Sequence, residues 1–134
     1  MTRIHLSFHT SDLDAARAYY TILFGAGPDK VRDDYLRFEP EGAPISLAIK
    51  PGVPEPGPEH LGLKMSDAAA TKAVWQRLVD ADLPLRTQDA VTCCWAVANK
   101  VWSTDPDGRA WEVYTVLDDA PATRDGEAAS VCCA

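Results

Sequence analysis

"HLSFHTSDLDAARAYYTILFGAG", residues 5–27, has a second copy further along the chain: "HLGLKMSDAAATKAVWQRLVDAD", residues 60–82. At an ungapped offset of 55 residues the two share eight of 23 positions: His, Ser, Asp, two Leu and three Ala. Only two copies fit in 134 residues, so the repeat predicts a duplicated structural unit rather than a solenoid. The common H-L-x-x-x-x-S-D frame carries this inference, because Ala-rich helices match one another by chance.

Each copy opens with a strand pattern and continues into a helix. In the first, Ser11 is a candidate N-cap with Asp14 three residues on. Leu13, Ala16, Tyr20 and Leu23 or Phe24 then draw an apolar stripe that Gly25 closes. In the second, Ser66 takes the N-cap part and Ala70, Val74, Leu78 and Ala81 the stripe. Shorter strand-like runs follow: Lys30–Arg32, Tyr35–Glu39 and Ile45–Lys50 in the first half, then Leu85–Thr87, Lys100–Thr104 and Arg109–Leu117 in the second. "DPDG" at 105–108 has the Pro and Gly placement of a type I turn. Each half is therefore predicted as β-α-β-β-β, and the fold class as α+β.

The modules fall at about 1–50 and 59–117, joined by the Pro- and Gly-rich linker "KPGVPEPGPEH". Residues 118–134 lack periodicity and are expected to form a flexible tail. The formal net charge of -7 and pI near 4.8 speak against a nucleic-acid or anionic-membrane partner and for a small molecule. With no apolar signal core in "MTRIHLSFHTSD" and no membrane-spanning run, the expected location is cytoplasmic.

Strand parity then locates a candidate metal site. Alternate residues of a strand share a face. Ile4, Leu6 and Phe8 suit the helix side, which leaves His5, Ser7 and His9 opposite. Leu61, Leu63 and Met65 leave His60, Gly62 and Lys64 opposite. Trp111, Val113 and Thr115 leave Glu112 and Tyr114 opposite. Three strands thus put His5, His60 and Glu112 on the same, helix-free face. Two histidines and a carboxylate are the donor set of non-heme Fe(II) sites with open positions for oxygen and substrate. The competing reading is three polar residues on a solvated sheet. The first-half counterpart of Glu112 falls near Leu47, which cannot ligate, and His9 is expected to support His5 or simply to face solvent.

The four cysteines stand as adjacent pairs, Cys93 with Cys94 and Cys132 with Cys133. Neighbouring Cα atoms are about 3.8 Å apart, whereas an ordinary disulfide needs roughly 4.4–6.8 Å. Reduced, doubled thiols suit a soft thiophilic ion or metalloid. To grip one atom Cys93 and Cys94 must lie in a turn or irregular loop rather than an extended strand, and Asp89–Asn99 is long enough to be that loop. The alternatives are buried small hydrophobes for the first pair and an inert tail for the second. Lys100 is expected to face the loop and favour thiolates. Trp95, Trp102 and Trp111 are candidates for an aromatic wall, the last two equally for the core.

Paired β-α-β-β-β units with ligands on the first strands and the last resemble the vicinal oxygen chelate superfamily (glyoxalase/bleomycin resistance/dioxygenase) over roughly residues 1–117. Within it, "FGAGPDKVR", "HLGLK", "TCCWAVANKVWSTDPDG" and "WEVYTVL" are similar to the bacterial organoarsenical carbon-arsenic lyases and the related cadmium-induced proteins. The resemblance implies Fe(II) on His5, His60 and Glu112 as catalytic metal ligands, and trivalent arsenic on Cys93 and Cys94. The chain departs from its relatives at Trp95, where Tyr or Phe is common, and at Asn99, where Asp is; the first ligand position varies between Gln and His, and here is His5.

The implied function is Fe(II)- and O2-dependent cleavage of the carbon-arsenic bond of trivalent organoarsenicals, a detoxification. Alternatives are non-catalytic heavy-metal or metalloid binding, or a dioxygenase acting on another small molecule. Cys132 and Cys133 are expected to serve as a second metalloid-capturing pair, on a tail whose reach is about 20 Å. A homodimer is the expected assembly.

Overall fold

The computed structural model describes residues 2–93 and 96–119. Its elements, in chain order, are β1 (Ile4–Thr10), α1 (Leu13–Phe24), β2 (Lys30–Arg32), β3 (Tyr35–Phe38), β4 (Ile45–Pro51), β5 (Leu61–Lys64), α2 (Ala68–Asp80), β6 (Leu85–Cys93), β7 (Ala96–Thr104) and β8 (Ala110–Asp119). They make two four-stranded sheets, ordered β1-β4-β3-β2 and β5-β8-β7-β6. The β-α-β-β-β pattern expected from the repeat is therefore present twice. The chain divides into two units. The first runs up to Glu59 and adds Thr104–Arg109; the second takes His60–Ser103 and resumes at Ala110.

The helices form where the apolar stripes predict. In α1, Ala16, Tyr19, Tyr20 and Leu23 are buried and Gly25 ends the helix at φ 69°, a left-handed cap. In α2 the buried residues are Thr71, Val74 and Leu78. Burying each large apolar side chain of the first unit, such as Leu23, Leu36, Leu47 and Ile49, contributes about 1.5–3 kcal/mol relative to exposure. The N-caps, however, fall one residue later than expected. Asp12 accepts from the Ala15 amide at 3.0 Å and Asp67 from the Ala70 amide at 2.8 Å. A carboxylate caps as well as a hydroxyl, and Ser11 is engaged elsewhere, donating its amide and hydroxyl to Asp107 Oδ1 at 3.0 and 2.6 Å.

The segment read as long enough for an irregular loop is mostly paired strand: Cys93 ends β6 and Ala96 begins β7. β6 and β7 pair antiparallel from Leu85↔Ser103 to Cys93↔Ala96, with a register shift between Gln88 and Val91. The β-branched Val91, Thr92 and Val97 favour this extended pairing. Cys93 closes β6; Cys94, Trp95, Cys132 and Cys133 lie outside the described residues.

Parity holds in β8, where Trp111, Val113 and Thr115 are buried, and in the later part of β1, where Phe8 and Thr10 are. It fails at Ile4, which is 66% exposed at the start of edge strand β1. The parallel pairs Ser7↔Ala48 and Gly62↔Glu112 are repeat equivalents. The counterpart of Glu112 is thus Ala48 rather than Leu47, a residue equally unable to ligate.

A buried charge cluster completes the first unit. The "DPDG" turn closes with Gly108 N donating to Asp105 O at 3.1 Å, with Gly108 at φ +90° where a side chain would strain. The Asp105 carboxylate accepts from Tyr20 Oη at 2.7 Å, from the Arg109 amide at 2.8 Å and from Arg109 Nη1 at 3.1 Å. Arg109 also donates to His9 O at 2.9 Å and lies 4.3 Å from the Phe8 ring centre. His9 meets Glu55 twice, through its amide at 2.8 Å and Nδ1 at 2.7 Å. The His9 amide, then its ring, hold the Glu55 carboxyl down at about 2. His9 thus serves this cluster, with no contact to His5.

Candidate metal centre

The second sheet carries the candidate chemistry on the face opposite α2. Glu112, in β8, alternates with Trp111 and Val113, whose burial against the helix side turns Glu112 the other way. It is nonetheless only 6% exposed. Lys100 Nζ stands 3.3 Å from Glu112 Oε1, and His60 Nε2 stands 3.4 Å from Oε2. Lys100, itself 6% exposed, is bracketed by aromatic faces, 6.0 Å from the Trp102 ring centre and 5.9 Å from that of Tyr114. A carboxylate this buried requires compensation, and the ammonium supplies it.

Gly62 is the Cα partner of Glu112. A Cβ there would come within 3.0 Å of Glu112 O and 3.7 Å of Glu112 Cβ. Glycine keeps this floor open. His60 stands just before β5, and its ring packs edge to face on Trp102, centres 5.1 Å apart at 78°. Trp111, by contrast, is core, at 1% exposure.

His5 belongs to the first unit. Its Nδ1 lies 3.1 Å from the Ser46 carbonyl. A carbonyl only accepts, so the contact puts a proton on Nδ1; in the neutral ring that tautomer leaves the lone pair on Nε2, the form a metal needs. Donors on a first-row ion at about 2.0–2.2 Å stand roughly 3.0–3.4 Å from one another; the His60–Glu112 separation of 3.4 Å fits two such positions. The donor chemistry of imidazole, imidazole and carboxylate fits Fe(II) as well. Among the described residues no three His, Cys, Asp or Glu side chains gather into a ready metal cage, so the fit rests on the pair and on the form of His5.

The model of the Glyoxalase/Bleomycin resistance protein/Dioxygenase superfamily matches residues 3–113. The chain belongs to that superfamily. Solved members of this glyoxalase superfamily share the fold. A glyoxalase/bleomycin resistance protein/dioxygenase from Alicyclobacillus acidocaldarius superposes with TM-score 0.67 at 17% identity, over 87% of this chain and 92% of that one. Two relatives are similar at sequence level along nearly the whole chain. The trivalent organoarsenical cleaving enzyme of Thermomonospora curvata is 36% identical, covering 99% of this chain and 89% of that protein. The cadmium-induced protein CadI of Mycobacterium tuberculosis is also 36% identical, covering 99% and 93%.

Sequence reasoning missed three features of the glyoxalase-type second unit. Lys100, expected beside the cysteines, lies against Glu112. Its even-numbered place in β7, shared with Trp102, was the available signal. Gln88 Oε1 accepts from Trp102 Nε1 at 3.0 Å and Arg86 Cζ lies 5.5 Å from the Trp102 ring centre, contacts set by a register that only the paired strands reveal. A cavity of about 380 Å3 lies between α2 residues Thr71, Lys72 and Trp75 and strand residues Thr87, Asn99, Lys100 and Val101; Lys100 borders it and Glu112 does not. No helix among the described residues is long and apolar enough to cross a membrane.

Proposed function

We propose that the protein cleaves the carbon-arsenic bond of trivalent organoarsenicals, using Fe(II) and O2. The observation that carries this reading is the buried Glu112 with His60 Nε2 beside it, in a chain 36% identical along 99% of its length to an organoarsenical cleaving enzyme. His5, His60 and Glu112 would hold the iron, which supplies oxygen activation when bound. Cys93 and Cys94 would hold arsenic as two thiolates, leaving its carbon substituent free to be oriented. Lys100 compensates the Glu112 charge while Trp102 and Tyr114 exclude water around both. Two cytoplasmic copies forming a homodimer remain part of the proposal.

A second reading, metalloid or heavy-metal binding without turnover, is favoured by the equal similarity to a cadmium-induced protein. Anaerobic loading with Fe(II), followed by methylarsenite and oxygen, separates the two. Inorganic arsenite among the products is the expected outcome. Tight binding of methylarsenite with no product would favour sequestration, and indifference to it would leave a dioxygenase of another substrate. Replacing Cys93 and Cys94 with Ser should abolish turnover while Fe(II) still binds, because hydroxyls are hard donors outside the iron's ligand set.

A further inference from the structure

His60 is weakly held by its own backbone. It precedes β5 rather than lying in the ladder, and its side chain is 31% exposed. An imidazole turning about its side-chain bonds presents either nitrogen, or neither, to Glu112. What restrains it is Trp102, whose ring meets it edge to face. Trp102 is fixed in turn. It is 7% exposed, its Nε1 donates to Gln88 Oε1 at 3.0 Å, and Arg86 lies over its ring. Arg86 is the Cα partner of Trp102 and Gln88 that of Lys100, so both restraints come from the regular part of the β6–β7 ladder before its register shift.

We infer that Trp102 is a positioning residue for His60: Gln88 and Arg86 set the indole, and the indole sets the imidazole so that Nε2 faces Glu112. The consequence for metal affinity rests on the metal reading above, whereas the ring geometry does not. Partners that orient a metal-bound histidine change affinity by about 10–100-fold when removed. A hydrogen-bonded indole acts here through shape and contact, in the place a carboxylate or carbonyl more often fills.

The full-length protein tests this in two ways. In the metal-free state, His60 ring protons should show nuclear Overhauser contacts to both Trp102 and the Glu112 methylenes. Trp102→Leu should lose the Glu112 contacts, and Trp102→Phe should keep them. In a titration with Co(II) alone, read by its visible absorption, Trp102→Leu should bind about 10-fold more weakly and Trp102→Phe within about threefold of wild type. Gln88→Leu removes the same anchor that Trp102→Phe gives up and should weaken Co(II) by the same small amount, up to about threefold, which keeps the test open if Trp102→Leu does not fold. Unchanged Glu112 contacts in Trp102→Leu, or equal losses in the Leu and Phe variants, would overturn the inference. So would wild-type contacts and wild-type Co(II) affinity in Gln88→Leu. If the Overhauser results are as expected but wild-type protein takes up no Co(II), the positioning role stands and the metal reading fails.

Discussion

Two units built from one repeat use their ionisable residues in opposite ways. In the first, Asp105, Arg109, His9 and Glu55 are joined by hydrogen bonds of 2.7–3.1 Å, and Ser11 gives Asp107 two of 3.0 and 2.6 Å. In the second, Glu112 faces Lys100 and His60 at 3.3 and 3.4 Å, near the outer limit of such contacts. The first arrangement is the more closed, since its charges have short hydrogen bonds, although Arg109 also stands 3.4 Å from Glu55 and 3.6 Å from Asp107 Oδ2, a buried oxygen that accepts no hydrogen bond. The second is buried yet slack, and slack groups are available to a ligand. Fold and charge alone do not separate the two clusters; contact distance does.

The sharpest way to break this contrast is at Glu112. Glu112→Gln should cut Fe(II) binding and turnover by more than about 100-fold, beyond what loss of a supporting partner costs, and should cost up to about 3 kcal/mol of stability, because a neutral amide leaves the buried Lys100 charge uncompensated. Glu112→Ala should lose the same activity and also about 3 kcal/mol of stability, because Lys100 is left as a buried unpaired ammonium. Melting temperatures at the wild-type value in both variants would show that Lys100 is relieved by solvent. Metal binding is read by Fe(II) titration and stability by chemical denaturation.

Arg109→Met probes the closed cluster. It leaves Asp105, whose side chain is fully buried, without its guanidinium, and should cost about 3 kcal/mol while Fe(II) affinity stays as in wild type. A change in affinity comparable to that of the Glu112 variants would mean that the two clusters are not separate in function. The smallest expected effect is at half-exposed Glu55. Its folded carboxyl is held at about 2 against an ordinary value of 4.5. As pH falls from about 5 to 2 the unfolded chain takes up a proton there that the folded chain resists, so stability falls with pH over that window. Glu55→Gln should flatten part of that decline in melting temperature and leave the region above pH 5 unchanged in slope.

How much of this was legible beforehand follows from the physics of each signal. The duplicated β-α-β-β-β plan shows in sequence because strand parity, helix stripe and Gly25 are local properties. Placement of Glu112 on the helix-free face also follows from parity, since Trp111 and Val113 flank it. The length of the β6–β7 hairpin was not legible because a cysteine pair suggests a turn or loop, while the pairing of these strands depends on a cross-strand partner that no local pattern names. Lys100 against Glu112 and Gln88 under Trp102 depend on register between distant strands. The N-caps at Asp12 and Asp67 differ from the Ser expectation because both residue types cap well, and Asp107 decides the case for Ser11 from nearly a hundred residues away.

The Asp105–Arg109 turn has a consequence for how the chain assembles. It is synthesised between β7 and β8, yet it completes a unit whose other residues end at Glu59. Tyr20 and Asp105 are 85 positions apart, and Arg109 and His9 are 100. Closing contacts of that span carries a large loop entropy, and such long-range contacts slow folding. An emerging N-terminal half would therefore hold Tyr20 Oη, the His9 carbonyl and Ser11 without the contacts that the Thr104–Arg109 segment brings later. A cut at the linker would not yield two self-sufficient pieces. The ancestral duplication, visible as a clean repeat, has been overwritten by a strap that makes the halves interdependent during biogenesis.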